Sequence, residues 1–176
     1  RELDRALPDL GRDQAPDRGL HRAAAQAGEE VGPTQVSPGG CAECLRFVTS
    51  NEAEVEELPW GPHEWLARPG LVDSQHHALV RVTMPPGKAH RFHRHPCFEE
   101  LLYVVSGQIR QWVGREARIL GPGELAHVPT NEVHGSYNVF ATPAVFLAIL
   151  SPSVFDGPAV IDVSADEPWR TLEPAR

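Results

Sequence analysis

From residue 78 onward, the chain alternates short apolar runs with clusters of glycine, proline and other turn residues. Runs of this length, rich in branched aliphatic residues and closely punctuated by turns, are typical of short antiparallel strands. Because no strong helical period interrupts them, the pattern predicts an all-β sandwich or barrel. The predicted strands are Ala78–Met84, His90–His93, Leu101–Val105, Gln108–Val113, Ala117–Leu120, Glu124–Val128, Gly135–Phe140 and Ala144–Leu150.

Details of this pattern add further expectations. The run Ala144–Leu150 is apolar throughout, which predicts a strand buried on both faces. In Gln108–Val113 the two alternating sets of side chains are equally apolar, so the sequence leaves open which set faces inward. After a loop, Ala159–Val163 is expected to return as an edge strand. The residues that follow form a tail, which could dock through Trp169.

The region before residue 78 shows a weaker pattern. Leu45–Ser50 predicts a first strand, and the acidic Asn51–Glu57 predicts a solvated loop. Leu58–Gly70 places Trp60 and Trp65 among prolines and glycines, so an irregular arm packed over the core is expected. The alternative is that one tryptophan lines the mouth of a ligand pocket. Three further histidines around this arm are each expected to lie at the surface or to be hydrogen-bonded: His63, His76 and His77.

The domain organisation follows from composition. A chain of 176 residues suits one domain of ordinary size. Residues 1–40 have few apolar and no aromatic side chains, so they cannot offset the entropy of ordering. We therefore expect residues 1–40 to be a disordered or loosely packed segment, residues 41–165 to form the barrel, and residues 166–176 to be a tail.

Charge and cysteine content exclude several classes of partner. The formal net charge is −8, and a chain without a basic patch is a poor ligand for nucleic acid or anionic membranes. No apolar run is long enough to span a bilayer. Three cysteines in no regular framework favour a reducing compartment, most simply the cytoplasm. Cys41 and Cys44 could be half a zinc site or a redox pair, but two cysteines beside a first strand is the favoured interpretation.

The main chemical candidates lie between two glycines, Gly87 and Gly107. His93 and His95 are two residues apart on extended chain, so both imidazoles can face the same way. Carboxylates follow at Glu99 and Glu100, and alternation allows only one of them to face inward. Two imidazoles and a carboxylate inside a sheet are suitable ligands for a divalent transition metal.

These residues belong to two motifs that together resemble those of the cupins. The first motif is Gly, five residues, His-x-His, three or four residues, Glu, six residues and Gly, and the chain matches it at Gly87, His93, His95, Glu100 and Gly107. The second is Gly-Asp, Ile-Pro, His and a later Asn, and the matching residues are Gly123, Glu124, Val128, Pro129, His134 and Asn138, with Glu in place of Asp. The resemblance covers residues 78–151, and both motifs at this separation make a specific signal.

The resemblance implies a fold and a metal site. The fold would be an antiparallel double-stranded β-helix, or jelly roll, with a single pair of motifs. His93, His95, Glu100 and His134 would bind one divalent transition metal per chain, with Fe(II) favoured and Mn, Ni, Co, Cu or Zn as alternatives. The spacing of the motif selects Glu100 as the ligand and leaves Glu99 against Arg91 or Arg94.

The resemblance also implies a function. The leading expectation is a dioxygenase-like enzyme that binds a small-molecule substrate at the metal, with Glu100 as both ligand and base. His127 is a candidate acid or base of the pocket, and the alternative is an outward-facing strand histidine. Other candidate functions are a metal-dependent sugar isomerase or lyase, and a non-catalytic binder of a small metabolite. A homodimer is expected, which light scattering at micromolar concentration would test.

Overall fold

The computed structural model describes residues 44–173. These residues form eleven strands and one short helix, α1 (Trp169–Leu172). The strands are β1 Glu54–Leu58, β2 Gly61–Ala67, β3 Ala78–Met84, β4 Ala89–Arg94, β5 Glu99–Ser106, β6 Ile109–Val113, β7 Glu116–Leu120, β8 Leu125–Val128, β9 His134–Tyr137, β10 Ala144–Ser151 and β11 Ile161–Asp162. The eight strands predicted after residue 78 are all present, with small shifts at their ends.

The strands form two antiparallel sheets. One has the order β1-β2-β3-β10-β5-β8, and the other has the order β11-β4-β9-β6-β7. Every strand pair within them is antiparallel. This arrangement is the predicted all-β jelly roll, in which strands adjacent in space are often distant in sequence. The predicted return near residue 160 is the short strand β11, at the edge of the second sheet.

Alternation along the strands accounts for the core between the sheets. In β3, every second residue from Ala78 to Met84 is buried, and the residues between them are half-buried. Strand β10 shows the same alternation, so the prediction that it is buried on both faces is wrong. Its apolar outer residues lie on the outer surface of the sheet, where burial is only partial. The buried cluster draws on both sheets and contains Val80, Val82, Met84, Leu102, Val104, Ile109, Leu120, Ala144, Phe146 and Ala148.

The structure corrects the prediction for the region before residue 78. Leu45–Ser50 is not a strand, because only Leu45 pairs, through an isolated bridge to Val72, and no neighbouring strand covers the rest. The expected acidic loop instead contributes β1, and the expected irregular arm contributes β2. An edge strand can keep acidic side chains in water while its backbone pairs, and the middle residues of β1 are exposed.

Gly61 is required where this hairpin turns. Its φ is +136°, a conformation that side-chain-bearing residues rarely adopt. A Cβ at this position would lie 2.0 Å from the carbonyl oxygen of Thr83. The glycine therefore lets β2 begin in close contact with the end of β3.

The tail packs back onto the second sheet. The ring of Trp169 lies 5.2 Å from that of Phe92, and Glu173 accepts hydrogen bonds from Trp112 and Arg110.

The segment expected to be disordered, residues 1–40, lies outside the described residues, as does Cys41. Cys44 is disulfide-bonded, and Cys97 is a free thiol. Within residues 44–173, the only helix is far too short to cross a membrane.

Candidate metal centre

The four predicted ligands come together from both sheets. His93 lies on β4 directly across from His134, the first residue of β9. His95 follows the end of β4, and Glu100 is the second residue of β5 on the opposite sheet. All four side chains are buried. A cross-strand pair in one sheet and a carboxylate from the other can therefore face the same point between the sheets.

The distances fit a common centre. The candidate ligand atoms of His93, His95 and His134 all lie within 4.8 Å of one another. Oε2 of Glu100 lies 3.2 Å from Nε2 of His95 and 3.2 Å from Nε2 of His134. Three imidazoles and one carboxylate thus occupy a volume in which a single cation could contact all of them.

Backbone carbonyl oxygens fix the orientation of all three imidazoles. Nδ1 of His93 donates to the carbonyl of Arg91 at 2.6 Å, and Nδ1 of His134 donates to that of Glu132 at 3.0 Å. Nδ1 of His95 donates at 2.7 Å to the carbonyl of Ala159, which is 64 residues away in sequence. A carbonyl can only accept, so in the neutral ring the proton lies on Nδ1 and the lone pair lies on Nε2. This is the tautomer that a metal-binding histidine uses.

Two buried atoms in this site have no hydrogen-bond partner. They are Nε2 of His93 and Nε2 of His134. Oε2 of Glu100 lies 3.2 Å from Nε2 of His134, but no hydrogen bond joins the two atoms. Buried polar atoms are almost always paired, and leaving one unpaired costs about 1–3 kcal/mol. A divalent transition metal would satisfy both nitrogens, so the residues present fit such an ion.

The electrostatics of the site favour its ligand form. Burial, together with the neighbouring His90, His134 and His95, holds the pKa of His93 well below its usual value. Burial alone would raise the pKa of Glu100, but the imidazoles of His134 and His95 outweigh it, and the pKa of this carboxyl lies well below its usual range. At neutral pH the site therefore offers a neutral imidazole at His93 and an ionised carboxylate at Glu100.

The structure corrects the assignment of His127 as a pocket acid or base. His127 lies on β8 opposite Leu101, its side chain is exposed, and it does not line the cavity that contains the four ligands. Its Nε2 lies 3.2 Å from Oε2 of Glu99. Strand alternation explains both positions, since Glu99 and Glu100 face opposite sides of β5 and the outward Glu99 meets the outward His127 rather than an arginine.

The ligands lie at one end of a cavity of about 370 Å³. Much of its wall is apolar and comes from β2, β3, β10 and the segment after β10, including Trp65, Val80, Val82, Phe146, Ala148 and Val160. Ser136 lies on the wall and donates a 2.6 Å hydrogen bond to the buried Gln111. The buried set in β6 is therefore Ile109 and Gln111, which answers the question of parity that the sequence left open.

Sequence reasoning missed a row of stacked rings beside the ligands. The ring of Trp60 stacks on His90 at 4.2 Å, and His90 stacks on His93 at 3.6 Å. Burial lowers the pKa of His90 to about 3. His63 packs edge-on against Trp60 at 4.1 Å and is also buried in the cavity wall. Trp60 and Trp65 both pack against the core, as expected, and also line the cavity, which was the alternative.

The signal for His63 was available in the sequence. His63 and Trp65 are two residues apart, so on a strand they face the same side. The prolines and glycines around them predicted an irregular segment, and this hid the alternation. By strict alternation, His90 would face the same side as Phe92 and the opposite side from His93. The pairing of β4 with β9 is irregular between residues 90 and 93, and this irregularity lets His90 face inward beside His93.

Comparisons with known proteins agree with this geometry. Residues 80–150 match the family model described as a cupin domain. Germin-like protein 3-8 of Oryza sativa subsp. japonica is 34% identical over 67 residues, and the match covers 35% of this chain and 30% of that protein. The matching part therefore spans less than a third of the length of this curated relative.

Solved structures share the fold. The polyketide cyclase RemF from Streptomyces resistomycificus has a TM-score of 0.59 at 20% identity, over 74% of this chain and 95% of that one. A single-site mutant of the Bacillus subtilis oxalate decarboxylase OxdC has a TM-score of 0.56 at 26% identity, over 71% of this chain and 33% of that one.

Proposed function

We propose that this chain, whose residues 80–150 match the cupin domain model, is a mononuclear metal-dependent enzyme acting on a small molecule. The leading case is dioxygenase-like chemistry, with the substrate held at a centre of three histidines and one glutamate. The observation that supports the proposal is the set of buried donors of His93, His95, His134 and Glu100, which face one another at the end of a cavity. A polar cluster of this kind is costly to bury unless a cation satisfies it.

His93, His95, Glu100 and His134 would hold one divalent transition metal per chain. Imidazole and carboxylate ligands suit Fe(II), and they also suit Mn, Ni, Co, Cu and Zn. Fe(II) is favoured because the proposed reaction uses O2. When bound, the metal would polarise oxygen atoms of the substrate and supply the redox chemistry.

The chain's own residues have separate roles in this proposal. The carbonyl oxygens of Arg91, Glu132 and Ala159 keep the imidazole protons on Nδ1, away from the reacting centre. Glu100 would act as the base of the pocket, with its Oε2 accepting a proton from a substrate hydroxyl. The apolar wall excludes water and strengthens the electrostatic interactions at the donor end, which is the end of the cavity formed by His93, His95, Glu100 and His134.

The test begins with elemental analysis of protein purified without added metal. The proposal expects close to one transition metal ion per chain. An oxygen electrode then screens catechols, flavonols and thiols, and substrate-dependent O2 uptake supports the dioxygenase. Glu100→Ala should abolish both metal retention and uptake, whereas His127→Ala, which changes an exposed histidine, should leave both intact. A stably bound metal with no O2 uptake on the whole panel would contradict the dioxygenase.

A second candidate is metal-dependent chemistry without net oxidation, as in an isomerase or a lyase. The observation in its favour is the 26% identity to an oxalate decarboxylase. This candidate predicts product formation under anaerobic conditions, which the dioxygenase forbids. A protein that keeps its metal and binds ligands but turns over nothing, with or without O2, would instead be a non-catalytic metabolite binder.

A further inference from the structure

The cavity beside the metal ligands has a composition that selects among substrate classes. We propose that it binds a neutral aromatic compound with oxygen substituents at the donor end, and that His63 orients this compound by accepting a hydrogen bond from a hydroxyl group at its other end. This inference rests on the proposed function, because the same cavity and the same four ligands are used. It adds the substrate class and a specificity-determining residue outside the two motifs.

Charge is the first argument. Among the described residues that line this cavity, none is lysine or arginine, and the two acidic ones are Glu56 and Glu100. A small dicarboxylate could pair only with the bound metal, and no lysine or arginine would satisfy the carboxylate oxygens left over, so burying them is costly. A neutral ligand avoids that cost, so the lining disfavours anions such as oxalate.

The shape of the wall is the second argument. The register of β2, β3 and β10 aligns two inward rows, in which Val82 pairs with His63 and Phe146, and Val80 pairs with Trp65 and Ala148. Except for His63, these side chains are apolar or aromatic and offer no hydrogen-bonding group except the indole N–H of Trp65, which already donates to Glu56 at 3.2 Å. A sugar needs partners for several hydroxyl groups, whereas a flat ring needs apolar contact. The wall therefore favours an aromatic ring over a sugar.

His63 is the third argument. Nδ1 of His63 donates to the carbonyl oxygen of Gly61 at 3.1 Å, which leaves Nε2 of the neutral ring as an acceptor. The side chain is 6% exposed, and burial lowers its pKa, in keeping with a neutral ring. Trp60, packed edge-on, holds the ring in place. His63 therefore presents a fixed acceptor in the wall, apart from the four metal ligands.

Size agrees with this ligand class. A volume of about 370 Å³ lies at the lower end of the range for small-molecule pockets, roughly 300–1,000 Å³. Such a pocket suits a compound of about one or two fused rings. Aromatic residues already form the neighbouring wall, so a planar ligand can extend the existing stacking.

The test is calorimetric binding to metal-loaded protein under anaerobic conditions, which does not depend on turnover. The probes are naphthalene-2,3-diol, naphthalene-2,3,6-triol and oxalate. We expect the diol to bind at least about tenfold more tightly than oxalate, and the distal hydroxyl of the triol to add about another tenfold through His63. In His63→Leu that added affinity should disappear, while the diol still binds. In His127→Leu, the matched change at an exposed histidine, all three affinities should equal those of the wild type.

Tighter binding of oxalate than of the diol would overturn the proposed substrate class. An undiminished advantage of the triol in His63→Leu would overturn the role of His63. Failure of this inference is distinguishable from failure of the proposed function, which is read from metal content and O2 uptake. If the protein binds the diol in the expected order but consumes no O2, the inference stands and the dioxygenase does not. If it consumes O2 with a substrate but binds oxalate more tightly than the diol, the dioxygenase stands and the inference about the substrate class does not.

Discussion

The two ends of the space between the sheets differ sharply in composition. We call one the donor end, formed by His93, His95, Glu100 and His134, and the other the aliphatic end, formed by Met84, Leu102, Val104, Ile109 and Leu120. Both ends are buried, and β5 passes through both of them. Its inward-facing residues are Glu100, Leu102 and Val104 in succession. The strand therefore presents a candidate metal ligand at Glu100 and an aliphatic side chain only two residues later.

The difference shows that residues that stabilise the fold and residues suited to bind a ligand lie at separate ends of the same core. At the aliphatic end, close packing buries apolar surface and no polar group needs a partner. At the donor end, buried nitrogen atoms lack partners, which lowers stability unless a ligand binds. We therefore expect substitutions at the aliphatic end to change the free energy of unfolding, and substitutions at the donor end to change metal affinity.

The largest expected effect on stability is at the aliphatic end. Leu102→Ala removes a buried side chain next to Ala148 and should lower the free energy of unfolding by about 2–5 kcal/mol. Urea denaturation of the metal-free protein measures this change. Leu125→Ala, which trims an exposed leucine on the neighbouring strand β8, is the matched control and should change stability by less than about 0.5 kcal/mol. Equal losses from the two variants would contradict the claim that packing at the aliphatic end stabilises the fold.

A smaller effect, dependent on metal, is expected at the donor end. Metal at one hundred times its dissociation constant should stabilise the wild type by about 2.7 kcal/mol, because it binds only the folded chain. His134→Ala removes one ligand and should lose most of this increment, while the metal-free forms of the two proteins differ much less. Thermal unfolding with metal and with a chelator measures both quantities. A His134→Ala protein that is still stabilised by metal to the wild-type extent would contradict the proposed ligand set.

The smallest effect should come from a histidine outside both ends. His127→Ala removes an exposed contact to Glu99 across two strands, and such surface pairs contribute between about 0 and 1 kcal/mol. We expect its metal content, measured by elemental analysis, to equal that of the wild type. Loss of metal from this variant would assign His127 a role that its position on the outer face of β8 does not suggest.

The homodimer expected from the sequence is not tested by a single chain and stays a prediction. Light scattering of the wild type at micromolar concentration should give the mass of two chains. A monomer under these conditions would contradict the prediction.

The part of the fold that the sequence predicted well is the part with strict alternation. The strands from residue 78 to residue 151 carry regular apolar positions and strong turn residues, so their number and order along the chain could be assigned. Strand parity allows only one of Glu99 and Glu100 to face inward, and the spacing of the first motif identified that residue as Glu100. Asn138 was identified only as a motif residue. The structure gives its physical role, since its side-chain amide donates to the carbonyl oxygens of Met84 and Thr142.

The parts that could not be predicted depend on how the strands pair with one another. Strand β1 reads as an acidic loop because its pairing partner, rather than its own apolar content, makes it a strand. His127 and His134 are both histidines on or beside predicted strands. The second motif selected His134, but the physical difference between the exposed and the buried histidine comes from the pairing of β8 with β5 and of β9 with β4. The pairing of β2 with β3 places His63 in the cavity wall. The prolines around His63 predicted an irregular segment, so the strand β2 was not recognised from the sequence.

The hydrogen bond from His95 to Ala159 bears on where the working unit of this protein ends. The segment that matches the family model stops at residue 150, yet the carbonyl oxygen that orients one of the three imidazoles lies nine positions beyond it. A fragment trimmed to the matched segment would retain every candidate ligand in its sequence but leave Nδ1 of His95 without its acceptor. An expressed fragment whose ends are chosen from the motifs alone would thus keep the candidate ligands but lose the carbonyl oxygen of Ala159, which orients one of them.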